Sequence, residues 1–166
     1  MSELHILIVS NLGQFNHLIH RTLRDMDELD GVPIGPELVE NTLSLEEMVA
    51  YEPDGIIIGG GPDIKKSGNS IHYLQRLDVP MLGICLGHQL MALAYGGKVR
   101  RGAHGGYASV EVEVLAEDEI LKGVPHRMNV WASHMDEVAE LPPGCQVRLL
   151  RALEAVSYTH LTLPTN

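Results

Sequence analysis

An α/β fold with an open, mostly parallel sheet and helices on both faces follows from three features of the sequence. Short apolar runs at residues 4–9, 56–58 and 79–82 alternate with helical patterns, the signature of strand–helix–strand units. Two of these runs end directly in glycine-rich turns, Gly59-Gly60-Gly61-Pro62 and Gly83-Ile84-Cys85-Leu86-Gly87. Past Gly102 the periodicity falls to two, so a few antiparallel strands are expected beside the parallel core.

The elements follow in order. Leu4-His5-Ile6-Leu7-Ile8-Val9 is a buried first strand. Leu18, Ile19, Thr22, Leu23 and Met26 then recur at helical spacing. Residues 27–36 carry Gly31, Pro33, Gly35 and Pro36 and read as loop. A short second strand fits Leu38-Val39-Glu40. Ser44-Leu45-Glu46-Glu47 is a capping box, which predicts a short helix to about Tyr51. Ile56-Ile57-Ile58 is a central strand, a helix spans residues 70–77, and a strand at Met81 precedes a helix closed by Gly96-Gly97. Val110-Glu111-Val112-Glu113-Val114, Met128-Asn129-Val130-Trp131-Ala132 and Gln146-Val147-Arg148-Leu149-Leu150 are the antiparallel candidates.

The chain has 166 residues, 45% hydrophobic and 20% charged, an ordinary globular composition. Twelve basic against 22 acidic residues give a net charge of −10, which argues against a nucleic-acid surface built on clustered Lys and Arg. The two cysteines, Cys85 and Cys145, are too few for a disulfide framework and point to a reducing compartment. No apolar run reaches membrane-spanning length, and the N-terminus lacks the shape of a signal peptide. A cytoplasmic location is expected. His17, His20, His72 and His126 fit no metal-ligand spacing with cysteine, so no metal site is expected.

The chemistry centres on Cys85. Gly-x-Cys-x-Gly between an apolar strand and a helix is the layout of a nucleophile elbow. The positive end of the following helix favours thiolate over thiol, and thiolate is the reactive form. The bland alternative is a buried structural cysteine; the flanking glycines and the abrupt strand-to-helix switch argue against it. Gln89 lies one turn on, with its side chain leaning back toward the sulfur. The bare N–H groups of the Gly59-Gly60-Gly61 turn suit an oxyanion, and no Gly-Lys-Ser/Thr follows to make it a phosphate loop. Ser133-His134-Met135-Asp136, after the Trp131 strand, either lines the same pocket or forms a solvated turn.

These motifs resemble those of the class I glutamine amidotransferases, the Cys-His-Glu triad kind. The likeness rests on Gly59-Gly60-Gly61-Pro62, on Gly83-Ile84-Cys85-Leu86-Gly87-His88-Gln89 and on Trp131-Ala132-Ser133-His134-Met135-Asp136. Asn11-Leu12-Gly13-Gln14-Phe15-Asn16-His17-Leu18-Ile19, Gly102-Ala103-His104-Gly105-Gly106-Tyr107 and Pro125-His126-Arg127-Met128-Asn129-Val130-Trp131 are similar to stretches of the separate glutaminase subunits of archaeal GMP synthases. The resemblance covers residues 4–147. It implies a flavodoxin-like fold and a Cys85 nucleophile that attacks the side-chain amide of glutamine. It implies further that the N–H groups of Gly60 and Leu86 hold the oxyanion. Gln89, Ser133, His134 and Asp136 would hold the substrate. Ammonia would pass to a partner, an ATP pyrophosphatase subunit that converts XMP to GMP. ATP and magnesium would belong to that partner, and this chain would carry no cofactor.

The sequence departs from the family at one point. The triad needs a His-x-Glu after a further strand, and none occurs here; His160 is followed by Leu161 and Thr162. The family pattern fades from about Arg151. A glutamine amidotransferase domain, incomplete at its C-terminus, is therefore expected over residues 1–150, with an atypical and non-native tail over 151–166. The expected tail packs poorly or pairs unlike a family strand. Two other readings stay open: a Cys-elbow enzyme of another pathway, and a non-catalytic module that docks on a synthetase. The Ser-His-x-Asp pattern weighs against the first, and truncation accounts for the missing triad half without the second.

Overall fold

Strand β1 (Leu4–Ser10) is the spine of the first half of the molecule. Leu7, Ile8 and Val9 are completely buried, as a strand covered on both faces requires. It pairs in parallel with β3 (Val32–Glu40) on one side and β4 (Gly55–Ile58) on the other. β4 pairs in parallel with β5 (Met81–Gly83), and the two-residue β2 (Glu28–Leu29) adds antiparallel to β3. The sheet order is β2-β3-β1-β4-β5. Interleaved with the strands are α1 (Asn16–Met26), α2 (Leu45–Ala50), α3 (Ser70–Arg76) and α4 (Leu86–Ala94). The computed structural model describes residues 3–116, 121–147, 149–151 and 157–158.

The chain divides into two compact units, Met1–Ala94 and Tyr95–Asn166. In the first, Met48, Ile56, Ile58, Tyr73, Leu74, Leu90 and Met91 join the β1 residues in the core. Each such side chain contributes roughly 1.5–3 kcal/mol by leaving water. The capping box at α2 is present as expected: Ser44 Oγ accepts from Glu47 N–H, and Glu47 accepts from Ser44 N–H.

The second unit is antiparallel. Long strands β6 (Lys98–Val114) and β7 (Arg127–Glu140) pair along most of their length. β8 (Leu149–Arg151) pairs with β6, and β9 (Ser157–Tyr158) pairs with β8 and β7, closing the order β6-β7-β9-β8. Val110, Val112 and Ala132 form its core, with Met128 and Val130 packed on them.

Three differences from the sequence reading have physical causes. Residues 32–36 are strand, not loop, despite Pro33 and Pro36. Pro33 is paired only with β2 and Pro36 only with β1, and a strand position paired on one side tolerates a residue without an N–H. The apolar stripe of α1 is only partly covered: Leu18 and Met26 are exposed while Ile19 and Leu23 are half-buried. Ser133 to Asp136 is neither turn nor post-strand loop but the middle of β7, opposite residues 101–107 of β6. Of the tail, Arg151 in β8 and the two residues of β9 are described, while His160 and the rest of residues 152–166 lie outside the described residues.

No helix among the described residues is long and apolar enough to cross a membrane. One consequence of the core is testable. Ile8→Ala removes a fully buried side chain from the central strand and should destabilise the chain by about 2–5 kcal/mol in urea unfolding.

Candidate active site

The strand–turn–helix at residues 81–94 is an elbow, and its sharpness has a visible cause. Gly83, the last residue of β5, pairs with Ile58, the last of β4. One residue on, Ile84 N–H donates to the Ile58 carbonyl at 3.0 Å. Gly87 then lies so close to that carbonyl that a Cβ there would collide with it. Gly87 N–H to Ile84 O (3.0 Å) and Gln89 N–H to Cys85 O (3.2 Å) start the helix at once. Between strand and helix the backbone must reverse within one residue. That residue is Cys85, with φ of 55°, a left-handed conformation costing a side-chain-bearing residue roughly 1–2 kcal/mol. Such strain at a single reactive side chain is what an elbow predicts.

The Cys85 side chain is exposed, so a reagent can reach the sulfur. Its thiol is nevertheless pushed up from the ordinary cysteine value. Burial by the surrounding protein is the larger cause, and a backbone hydrogen bond from Leu86 acts the other way. Exposure and desolvation coexist because the sulfur is open on one side and hemmed in on the others. The sequence predicts a thiolate favoured by the helix end; here desolvation outweighs the helix N–H.

Gly60 is the other wall. A Cβ built on Gly60 would lie 3.6 Å from Cys85 Cβ and 4.0 Å from Ile84 O, so the glycine turn after β4 runs beside the elbow. The structure thus brings Cys85, Leu86 and Gly60 together. Gln89 is on α4 and buried at 7% exposure. Ser133, His134 and Asp136 belong to the second unit, on β7, where they pair with Tyr107, Gly106 and Arg101 of β6. The side chains of Ser133 and His134 lie outside the described residues. No group of three or more His, Cys, Asp or Glu suited to a metal occurs among the described residues.

Beneath the glycine turn is a set of polar residues that sequence reasoning passed over. Asn11 and Ser70 are fully buried and Asn16 and Asn41 nearly so. Asn11 Nδ2 donates to Gly59 O at 3.0 Å and Asn16 Nδ2 to Gly60 O at 3.2 Å. The available signal was Asn11 itself, a polar residue straight after the buried β1, at the strand ends where α/β sheets place their sites.

The profile of the family glutamine amidotransferase class-I matches residues 7–162. The chain is 54% identical over 144 residues to the glutamine-hydrolyzing GMP synthase subunit of Methanosarcina mazei, covering 87% of this chain and 73% of that protein. It is 53% identical over 137 residues to the subunit of the same name from Methanothermobacter thermautotrophicus, covering 82% and 70%. Among solved structures, a Thermoplasma acidophilum protein assigned as the same GMP synthase subunit superposes with a TM-score of 0.82 at 28% identity, over 94% of this chain and 77% of that one. A glutamine amidotransferase from Thermotoga maritima shares the fold, with a TM-score of 0.69 at 18% identity over 95% and 70% of the two chains.

Two outcomes test this geometry. In a Cys145→Ser background, alkylation of Cys85 by iodoacetamide should rise with pH and inflect above the pH of an ordinary cysteine, because the raised thiol stays protonated at neutrality. Gly87→Ala should cost at least about 1–3 kcal/mol in urea unfolding, because the added methyl meets backbone rather than a side chain that can yield.

Proposed function

Because the chain belongs to the class I glutamine amidotransferases, we propose that it is the glutamine-hydrolysing subunit of a GMP synthase, with Cys85 as its nucleophile. The observation that carries the chemistry is the left-handed Cys85 between the Leu86 N–H and the Gly60 turn. The identity of 54% to the glutamine-hydrolyzing subunit from Methanosarcina mazei supports the choice of pathway.

The Cys85 sulfur adds to the side-chain amide carbon of glutamine, and the amide oxygen takes up negative charge. The N–H groups of Leu86 and Gly60 receive that oxyanion, an arrangement worth about 10²–10³ in rate per donor. The carbon–nitrogen bond breaks, and the nitrogen leaves as ammonia with a proton from a general acid. The glutamyl thioester that remains is cleaved by water to glutamate, which frees the thiol. Gln89, Ser133, His134 and Asp136 are the residues assigned to hold glutamine. Ammonia passes to a partner subunit with ATP pyrophosphatase activity, which uses ATP and magnesium to aminate XMP. This chain itself takes no cofactor, and the reading places the pair in the cytoplasm.

The general acid–base step has no assigned residue. No His-x-Glu occurs among the 166 residues. His88 lies on α4, next to the elbow but part of the helix. General acid–base catalysis supplies about 10²–10⁴ in rate, and with the thiol pushed up the loss is felt at the first proton transfer.

Glutamate release tests the proposal. The 166-residue chain should show negligible turnover, alone or with an XMP-aminating subunit. It should still be alkylated at Cys85 by a chloromethyl ketone analogue of glutamine, and Cys85→Ala should abolish that labelling. A chimera with the C-terminal region of the Methanosarcina mazei relative in place of residues 151–166 should release glutamate, most strongly with the partner present. Robust turnover by the unaltered chain would mean that a base exists elsewhere in it. Absence of specific labelling at Cys85 would refute the glutaminase reading.

A further inference from the structure

We propose that Asn11 is a positioning residue that aims the Gly60 N–H at the reacting oxygen, through a relay of Asn41 and Ser70 that fixes the orientation of its amide. The proposal rests on the glutaminase reading and adds to it a residue that touches neither substrate nor nucleophile.

The argument starts from the peptide that joins Gly59 to Gly60. A peptide is planar and trans, so its C=O and N–H point in opposite directions. Asn11 Nδ2 donates to the Gly59 O at 3.0 Å. Whatever holds that oxygen on one side fixes where the Gly60 N–H points on the other. Gly60 has no side chain to resist rotation of this plane, so an outside contact must hold it.

That contact works only if the amide of Asn11 presents nitrogen, not oxygen, to Gly59, and the network decides which. Asn41 Nδ2 donates to the Lys66 carbonyl at 2.8 Å, and a carbonyl can only accept. The same Asn41 nitrogen donates to Asn11 Oδ1 at 3.0 Å. Ser70 Oγ donates to that oxygen as well, at 2.8 Å. With two donors on its oxygen, Asn11 has only nitrogen left for Gly59. The chain from Lys66 O through Asn41 and Asn11 to Gly59 O therefore has one consistent direction. Asn11 and Ser70 are fully buried and Asn41 is 4% exposed, so water does not compete and an amide flip would leave buried groups facing like groups. Asn16 restrains the next peptide in the same way, donating to Gly60 O at 3.2 Å. The turn that faces Cys85 is thus clamped from beneath at two successive carbonyls.

The test uses the whole chain and reads two reagents at one sulfur, in a Cys145→Ser background. The first is the chloromethyl ketone analogue of glutamine. The thiolate forms a carbon–sulfur bond as chloride leaves, and the neighbouring ketone oxygen gains charge that the Gly60 N–H can stabilise. The second is methyl methanethiosulfonate, which has no carbonyl; the thiolate takes its methylthio group and methanesulfinate leaves. Asn11→Asp keeps the size and the acceptor for Asn41 and Ser70 but replaces the donor to Gly59 O by a second acceptor. Its maximal inactivation rate with the chloromethyl ketone should fall about ten- to a hundredfold. The half-saturating concentration of that reagent and the rate with the thiosulfonate should stay unchanged. Ser70→Ala, which removes one of the two donors on Asn11, should move the same rate in the same direction by about two- to fivefold.

An Asn11→Asp chain that keeps the maximal rate, or loses both reagents' rates equally, overturns the proposal while leaving the glutaminase reading intact. Should Asn11→Asp fail to fold, Ser70→Ala decides alone, and an unchanged ratio of the two rates overturns the proposal. An unsubstituted chain with no preference for the glutamine analogue over the chloromethyl ketone of alanine overturns the glutaminase reading and this proposal together.

Discussion

The Ile58 carbonyl is the point on which the site depends. It ends β4, accepts the Ile84 N–H and lies against Gly87. Through it the glycine turn after β4 and the elbow after β5 are fixed relative to one another, because both leave the sheet at the same paired residues, Ile58 and Gly83. The left-handed Cys85 follows from that constraint. A helix that must start within two residues of a strand end, pressed against a neighbouring carbonyl, has no room for a relaxed turn. The strain is retained because buried β4 and α4 hold both sides.

Placement and activation are separate in this chain. The elbow delivers the sulfur to an accessible position beside the Leu86 N–H and the Gly60 turn, but the same enclosure raises the thiol and opposes ionisation. A helix end and one backbone hydrogen bond do not compensate. A thiol raised in this way needs a partner that takes its proton before it can act as a nucleophile. The sheet, the elbow and the glycine turn beside it all lie within the first 94 residues.

Much of the fold was legible because local patterns and burial agree. The Leu4-to-Val9 run, the capping box at Ser44 and the glycine-bounded Cys85 each announce their structure within a few residues. What was not legible depends on neighbours distant in sequence. Pro33 and Pro36 read as loop until each is known to be paired on one side only, Pro33 with β2 and Pro36 with β1. The partial exposure of α1 depends on what covers it. The direction of the Cys85 shift needs the atoms that desolvate it. Asn11, Asn41 and Ser70 carry no motif; their relation spans 59 residues and exists only once three strand and helix ends converge. Ser133, His134 and Asp136 read as a post-strand cluster because the apolar pattern stops at Ala132, yet the backbone of β7 goes on pairing with β6, across a register shift between Arg101 and Gly106.

The most direct measurement is a crystal structure of the chain alkylated at Cys85 by the chloromethyl ketone analogue of glutamine. The account predicts a left-handed Cys85 and a ketone oxygen within about 2.7–3.1 Å of both the Gly60 and the Leu86 nitrogens. A ketone oxygen turned away from the Gly59-Gly60-Gly61 turn, or a Cys85 relaxed to negative φ, would contradict it.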